Sequence, residues 1–506
     1  MASSTNSHED SRESAPQRTM RIADRVTLHG GYIDFRTLCQ RVVSPDTRYL
    51  VIDLDRTVHF KRNVGELLGF ELCAYLAYGE EDYRTVSQQA GRSRFMLDWS
   101  RPLSVLRLFS LGARLWAYPG LFYFLFGKMG YRFAATRRWI YRRFGSEAIE
   151  SIQRIPRTAL MHHLAALPLA TTHELALNLL RRLEPDQVIL REDIDWLRST
   201  YPNLRVVISS ASPRPAVEAT GQMLGIEDVI YSAVDEQQGY LSSPSHLQRM
   251  FLLFREPVRI SPPSQREHNA GPHKIGNLVA RFPDILDPDT ETVGITDTGY
   301  GEDHSWSHHF KKVVDVNSSA PFSPLVPSTS PIQEIHSAHV LTLEERTRRA
   351  QGADHWLTAG RPHRTDSGER QFTGEELERL LESHSTAANL LMRHWHHLEA
   401  EAQVLTQSVR EKLGLLLQDI EETVHRFNAA EAKSRKRLLG ALRRLLREKQ
   451  VLERRYVQLT EPVSTLTCQL RMELGRARSA LDEVSATPVA HPPSTGGNGG
   501  SEGVAG

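Results

Sequence analysis

The segment YLVIDLDRT, residues 49–57, is a short apolar run that ends in two carboxylates, Asp53 and Asp55. A run of this length with polar boundaries is typical of a buried β-strand. A helix-like segment at residues 215–225 indicates that helices alternate with such strands, which predicts an α/β fold with a Rossmann-like parallel-sheet core. Three further apolar runs support this prediction: LRVVISS after Pro202, TVGITD ending at Asp297, and KKVVDVN at residues 311–317.

The composition is that of a globular protein with more than one structural region. The chain has 506 residues, of which 40% are hydrophobic and 24% charged, and this excludes wholesale disorder. The formal net charge is only +1, so we expect no global attraction to nucleic acid or anionic lipid. The three cysteines form no CxxC pair, and the N-terminus has no apolar signal core, so we expect a cytoplasmic protein with reduced thiols.

Shifts in composition divide the chain into regions. The expected regions are a disordered N-terminus at 1–20, an α/β core at 21–60 and 195–325, a helical cap at 61–194, a linker at 326–371, a helical region at 372–486 and a disordered tail at 487–506.

The region 372–486 has the periodicity of long amphipathic helices. Thr373 and Glu376 form a capping box, and apolar residues then recur about every 3.6 residues through 391–427. Such helices, which resemble coiled-coil segments, favour self-association or the docking of a partner helix.

A second apolar series, at residues 438–459, is close to a heptad repeat and predicts a helix that stops before Pro462. We expect a third helix over residues 463–483. Basic residues are frequent in 433–455, but no aromatic residues are interleaved for base stacking, so we interpret this run as a solvated face and expect no nucleic-acid partner.

Asp53 and Asp55 follow a predicted strand at the edge of the sheet where α/β proteins bind ligands. One carboxylate at this spacing can attack phosphorus, and the other can protonate the leaving oxygen and later deprotonate water. Since close carboxylates repel each other, the site needs a divalent cation, and oxygen ligands point to Mg²⁺. D-x-D-x-T alone is a weak signal, because two acids after a strand also cap helices or solvate loops.

Other polar residues occupy comparable places, and each has a structural alternative. Ser210 ends the second strand before a helix and either binds a phosphate oxygen or caps that helix. Lys274 opens a helical segment and either balances phosphoryl charge or is solvated. Asp297 ends the third strand, and Glu302 and Asp303 follow it, so these acids are either Mg²⁺ ligands or an acidic turn.

Taken in order, these motifs resemble the haloacid dehalogenase superfamily of phosphohydrolases, in particular its phosphoserine-phosphatase-like branch with a helical cap between the first two motifs. The resemblance covers residues 45–325, and the segment ISSASPRPAVEATGQMLGI is especially similar to that branch. It implies that Asp53 is the nucleophile and Asp55 the general acid/base. It further implies phosphoryl binding by Thr57, Ser210 and Lys274, and Mg²⁺ binding by Asp53, the Asp55 carbonyl, Asp297 and Asp303.

Two positions depart from the family pattern. Arg56 stands where the family usually has a small residue, and its guanidinium could bind substrate, obstruct it or point away. The last motif normally reads GDxxxD or GDxxxxD, but here the glycine is displaced to Gly294, before Asp297. Glu302 fits the longer spacing and Asp303 fits the residue type, and we favour Asp303 slightly.

Residues 115–126, LWAYPGLFYFLF, are apolar and aromatic but too short to span a bilayer. They predict a helical hairpin within the cap or, as the alternative, a peripheral contact with a membrane.

The predicted function is therefore that of a Mg²⁺-dependent phosphomonoester hydrolase acting on a small organic phosphate or a lipid headgroup phosphate. The alternative is a weakly active or inactive scaffold of the same fold, whose C-terminal helices mediate protein–protein association. Arg56 and the irregular last motif leave this alternative open.

Overall fold

Strands and helices alternate along most of the chain. The structure, a computed structural model, describes residues 19–22, 25–93, 96–117, 167–232, 236–237, 240–241, 269, 272–297, 303, 306, 309–318, 334–351 and 374–486.

Eight strands form one sheet, in which every pair of neighbours is parallel except the pair at one edge. These strands are β1 Thr19–Ile22, β2 Val26–Ile33, β3 Thr47–Ile52, β4 Arg205–Pro213, β5 Asp228–Ser232, β8 Glu291–Thr296, β9 Lys312–Val316 and β10 Glu334–Val340. Their order is β1-β2-β10-β9-β8-β3-β4-β5, and the short strands β6 Glu236–Gln237 and β7 Tyr240–Leu241 pair separately. The predicted α/β class is confirmed.

The helices lie between the strands and after them. They are α1 Phe35–Val42, α2 Val64–Tyr78, α3 Glu80–Ala90, α4 Pro102–Ala117, α5 Leu169–Leu183, α6 Arg191–Thr200, α7 Arg214–Leu224, α8 Pro272–Arg281, α9 Leu343–Ala350, α10 Gly374–Ala429 and α11 Ala432–Ala486. Helices α2 to α5 stand between β3 and β4, where the sequence predicts a helical insert. Residues 118–166 of that insert, and with them most of the aromatic run 115–126, lie outside the described residues.

The sheet is buried on both faces, and this explains the unbroken apolar run of β3. Leu50 and Ile52 belong to a core shared with α1, α2 and α5 to α7. Tyr49 and Val51 point to the opposite face and belong to a second core shared with α8, α10 and α11. A parallel strand covered on both sides has no solvent-facing positions, so its sequence does not alternate.

The C-terminal helices α10 and α11 pack against each other, and their sheet-proximal parts also cover one face of the sheet. The prediction that the second helix stops before Pro462 is wrong, because α11 continues through this proline to Ala486. A proline inside a helix costs about 3 kcal/mol. Burial of Leu466, Leu470 and Leu474 just beyond it contributes about 1.5–3 kcal/mol for each side chain, which outweighs that cost.

The prediction of a linker over residues 326–371 is wrong for residues 334–340, which form strand β10. Strand β10 lies inside the sheet, between β2 and β9. Its sequence, EIHSAHV, is rich in polar residues, of which His336, Ser337 and His339 are buried. Burial is tolerated where a polar partner is present: the Ser337 hydroxyl donates a hydrogen bond to Asp315 Oδ2 at 3.1 Å. Composition alone therefore conceals this strand.

A buried arginine joins α11 to this strand. Arg478, whose exposed fraction is only 3%, donates hydrogen bonds to the Ser337 hydroxyl and, over 3.4 Å, to Asp482 Oδ2. His339 Nε2 lies 2.9 Å from the same Asp482 oxygen. This polar contact fixes the register of α11 on the sheet, since each charge needs its partner once it is out of water.

We expect Arg478→Ala to lower the free energy of unfolding by about 3 kcal/mol, because it leaves Asp482 buried without its cation. Urea denaturation measures the loss. Arg476→Ala is the matched control: Arg476 lies on the same helix, pairs with Glu473 and is 51% exposed, so its loss should stay within about 1 kcal/mol. Equal losses in both variants would contradict the anchoring role of Arg478.

Among the described residues, no helix combines the length and the apolar character needed to cross a membrane.

Candidate active site

Three neighbouring parallel strands, β8, β3 and β4, end at the same edge of the sheet. Asp53 follows β3, and its backbone N–H donates to the Ile295 carbonyl of β8 at 2.9 Å. Ile52 pairs with Ile208, which places Ser210 just beyond the level of Asp53 on β4. Asp297 follows β8. The sheet topology therefore brings these three predicted site residues to one edge.

Lys274 lies between two buried carboxylates at this edge. Its Nζ contacts Asp53 Oδ1 at 2.7 Å and also Asp303 Oδ1. The exposed fractions are 1% for Lys274, 5% for Asp53 and 3% for Asp303, so all three groups are almost fully removed from water. Helix α8 begins at Pro272 and carries Lys274 in its first turn, with Nζ 5.2 Å from the centroid of a Trp306 ring.

Burial and charge shift the acid–base properties of this cluster. Burial raises the pKa of Asp53 to about 7, against the opposing effect of Lys274 and with the support of Asp303. Burial also raises the pKa of Asp297 well above its usual range, and the charge of Asp53 adds to this effect. Burial by itself would lower the pKa of Lys274, but Asp303 and Asp53 together raise it. Burial and the repulsion from neighbouring carboxylates therefore both act against the ionisation of Asp53 and Asp297.

Asp303 is held from two sides. Besides its contact with Lys274, it accepts a hydrogen bond at Oδ2 from the Thr296 hydroxyl of β8, at 2.7 Å. Asp303 thus lies in the cluster that the sequence predicted for it. Glu302, the alternative at this motif, lies outside the described residues.

Ser210 is fully buried within β4, and a buried asparagine fixes its backbone. The Asn269 side-chain amide donates to the Ser210 carbonyl at 2.8 Å and to the Ile230 carbonyl of β5 at 3.2 Å. Asn277 of α8 donates to the Asn269 side-chain oxygen at 3.0 Å. Asn269 therefore ties together β4, β5 and the helix that carries Lys274.

The D-x-D-x-T loop after β3 is tightly turned. Arg56 adopts a left-handed backbone with φ of 65°, a conformation that favours glycine, and its side chain is exposed. Its positive charge acts to lower the pKa of Asp297, so the guanidinium acts on the site electrostatically although the side chain is exposed.

Thr57 is fully buried, and within the described residues its hydroxyl has no hydrogen-bond partner. Asp55 is partly buried and accepts hydrogen bonds from Val64 and Ser212.

Two side chains at this edge were not predicted as site residues. Ser212 contacts Asp55, and Asn269 organises the strand ends. The sequence does contain a signal for Ser212, because Ser212 is the second serine of the SASP segment and lies two residues after the predicted site residue Ser210. For Asn269 the sequence offers no signal, since its partners on β4 and β5 are 39 to 60 residues away along the chain.

In the described part of the chain, no three histidine, cysteine or acidic side chains converge closely enough to form a complete metal site. Mg²⁺ does not need such a cage, because it binds through one or two carboxylates and keeps water and substrate oxygens as its other ligands. Asp53 and Asp303 share one buried ammonium, and the charges of both raise the pKa of Asp297, so a divalent cation would offset the repulsion among the three carboxylates. The residues at this edge therefore fit Mg²⁺.

Comparisons with known proteins give only distant likenesses. No protein-family model and no curated protein matches the chain. A protein of unknown function from Bordetella pertussis Tohama I is similar to it in structure, with 12% identity and a TM-score of 0.30 over 54% of this chain and 91% of that one. A phospho-aspartyl intermediate analogue of phosphoserine phosphatase shares 12% identity, with a TM-score of 0.26 over 60% of this chain and 99% of its own. Likenesses this weak say nothing about the function of this chain.

Gly294 on β8 gives room to the aromatic residues beside Lys274. A Cβ at this position would lie 2.8 Å from Phe310 Cδ2 and 2.9 Å from Trp306 Cε3. We expect Gly294→Ala to reduce the free energy of unfolding by about 1–3 kcal/mol, because both rings are fully buried and must shift.

Chemical denaturation measures this loss, and Gly276→Ala on α8 is its control. A Cβ on Gly276 meets no atom of the described residues within 4 Å, so the substitution should stabilise the helix by about 0.5–1 kcal/mol. If Gly294→Ala also stabilised the protein, the proposed close packing at β8 would be disproved.

Proposed function

We propose that this chain is a Mg²⁺-dependent phosphomonoester hydrolase that acts through an aspartyl-phosphate on Asp53. The observation that supports this proposal most is the buried Lys274 ammonium between Asp53 and Asp303, at the edge of the sheet where ligands bind. Burying one cation and two carboxylates costs several kcal/mol for each ion, and a purely structural role would be served as well by apolar side chains. Perturbed charged groups in such a position are typical of a functional site.

In the proposed reaction, an oxygen of Asp53 attacks phosphorus while the bond from phosphorus to the ester oxygen breaks. The electron pair of that bond stays on the leaving oxygen, which takes a proton from Asp55 and departs as an alcohol. In the second step Asp55 accepts a proton from water as the water oxygen attacks phosphorus, and the bond from Asp53 to phosphorus breaks. Inorganic phosphate leaves, and both carboxyl groups return to their starting states.

The phosphoryl group needs positive charge and hydrogen-bond donors that are already in place. Lys274 provides an ammonium whose raised pKa keeps it protonated. The hydroxyls of Thr57 and Ser210 are assigned to the phosphoryl oxygens, and the buried Thr57 hydroxyl, which lacks a partner within the described residues, favours this assignment. Catalysis would then come mainly from positioning and charge neutralisation.

Asp53, Asp297, Asp303 and the backbone carbonyl of Asp55 are the groups that we propose would hold Mg²⁺. When bound, this ion would polarise the phosphoryl oxygens and offset the charge that develops on them. Arg56 adds further positive charge near Asp297.

We expect Asp53→Asn to reduce the hydrolysis of p-nitrophenyl phosphate on the order of 10³-fold or more, because the variant has no nucleophile. The full chain is assayed with Mg²⁺, with EDTA, and with EDTA followed by excess Mg²⁺. EDTA should abolish the phosphatase activity, and excess Mg²⁺ should restore it. Asp46→Asn is the matched control, since Asp46 is exposed and precedes β3, at the opposite end of the strand from Asp53.

If all samples hydrolysed p-nitrophenyl phosphate at the same background rate, the enzymatic proposal would be refuted. It would favour the second candidate, a non-catalytic scaffold whose long helices α10 and α11 bind a partner helix or a second copy. A small organic phosphate and a lipid headgroup phosphate are both candidate substrates, and a panel of phosphorylated metabolites and lipids separates them.

A further inference from the structure

The Asp55 carboxylate is held at both of its oxygens. The Ser212 hydroxyl donates a hydrogen bond to Oδ2 at 2.6 Å. The backbone N–H of Val64 donates to Oδ1 at 2.8 Å, and that of Gly65 lies 3.4 Å from the same atom. An aspartate with a single donor rotates about its terminal torsion, whereas donors on both oxygens leave one orientation.

These donors come from two distant parts of the chain. Ser212 lies near the end of β4 and is 3% exposed, and Val64 and Gly65 form the first turn of α2. Helix α2 opens the insert between β3 and β4. The orientation of Asp55 therefore depends on the end of one core strand and on the first helix of the insert.

Gly65 makes this close approach feasible. A Cβ on Gly65 would collide with the Ser212 hydroxyl oxygen and would come within 3.2 Å of Pro213 Cδ. The hydroxyl can rotate away at little cost, but it would then leave Asp55. Glycine at this position is thus a condition for the bond from Ser212 to Asp55.

We propose that Ser212 is a positioning residue that aims Asp55 at the leaving oxygen, and that the site is built for phosphomonoesters of aliphatic alcohols. This inference rests on the proposed function. An alkoxide is too basic to leave without a proton, so its ester needs an aligned acid. A nitrophenolate leaves unassisted, and an enzyme limited to such esters would gain nothing from fixing both oxygens of Asp55.

The test compares kcat/KM for an alkyl ester, glycerol 3-phosphate, with that for p-nitrophenyl phosphate, using the full chain with Mg²⁺. This parameter covers the steps up to release of the alcohol, so it isolates protonation of the leaving group from the later attack of water. We expect Ser212→Ala to lower kcat/KM for the alkyl ester about 10- to 100-fold, and that for the aryl ester less than about threefold.

Gly65→Ala is the second variant, and it should reproduce this selective loss although it removes no hydrogen-bonding group. Thr220→Val is the matched control. Its buried hydroxyl bonds to the Ala216 carbonyl within α7, so its loss should leave the ratio of the two kcat/KM values unchanged. Thermal unfolding of each variant shows whether it is folded.

A purely structural Ser212 would lower both kcat/KM values equally or leave both unchanged, and either result would overturn the inference while the proposed function stands. Wild-type protein that hydrolyses neither ester would overturn the proposed function and this inference together. Wild-type protein that hydrolyses only the aryl ester would overturn the assignment to aliphatic esters.

Discussion

One buried cation organises this edge of the sheet. The Lys274 ammonium lies between Asp53 and Asp303, out of contact with water, and the three groups come from different parts of the chain. Moving any of them by an ångström would leave a buried charge without its partner, at a cost of several kcal/mol. The ends of β3 and β8 and the start of α8 are therefore fixed relative to one another, and the other polar groups of the site take their places around this arrangement.

Other side chains and the two long C-terminal helices stabilise this edge of the sheet. Asn269 joins β4, β5 and α8, while Trp306 and Phe310 pack on β8 beside Lys274 because Gly294 has no side chain. On the same face of the sheet, α10 and α11 complete the apolar core. The long helices are thus part of the core and not only an appendage. A purely scaffolding role would have to use their sheet-distal parts, because their other ends are buried against the strands.

Much of this arrangement could be predicted from local sequence, and the failures have physical causes. The apolar runs that end at Asp53, Ser210 and Asp297 mark parallel strands, whose carboxyl ends must share an edge. Strand β10 was missed because its buried polar side chains find partners only in the folded protein. The prediction that a helix ends before Pro462 failed because packing outweighs local helix propensity. Asn269 was missed for the same reason as β10, since its partners are distant along the chain.

The place of β10 in the sheet has a consequence for how the protein is made. Strand β2 has β10 as its neighbour towards the centre of the sheet, and β10 ends at Val340, some 300 residues later. While the ribosome is still synthesising the intervening chain, β1 and β2 can form a hairpin, but the open edge of β2 has no native strand to pair with. Pairings this remote are slow to form and leave strand edges exposed to aggregation. Nascent chains that stop before β10 should therefore depend on chaperones.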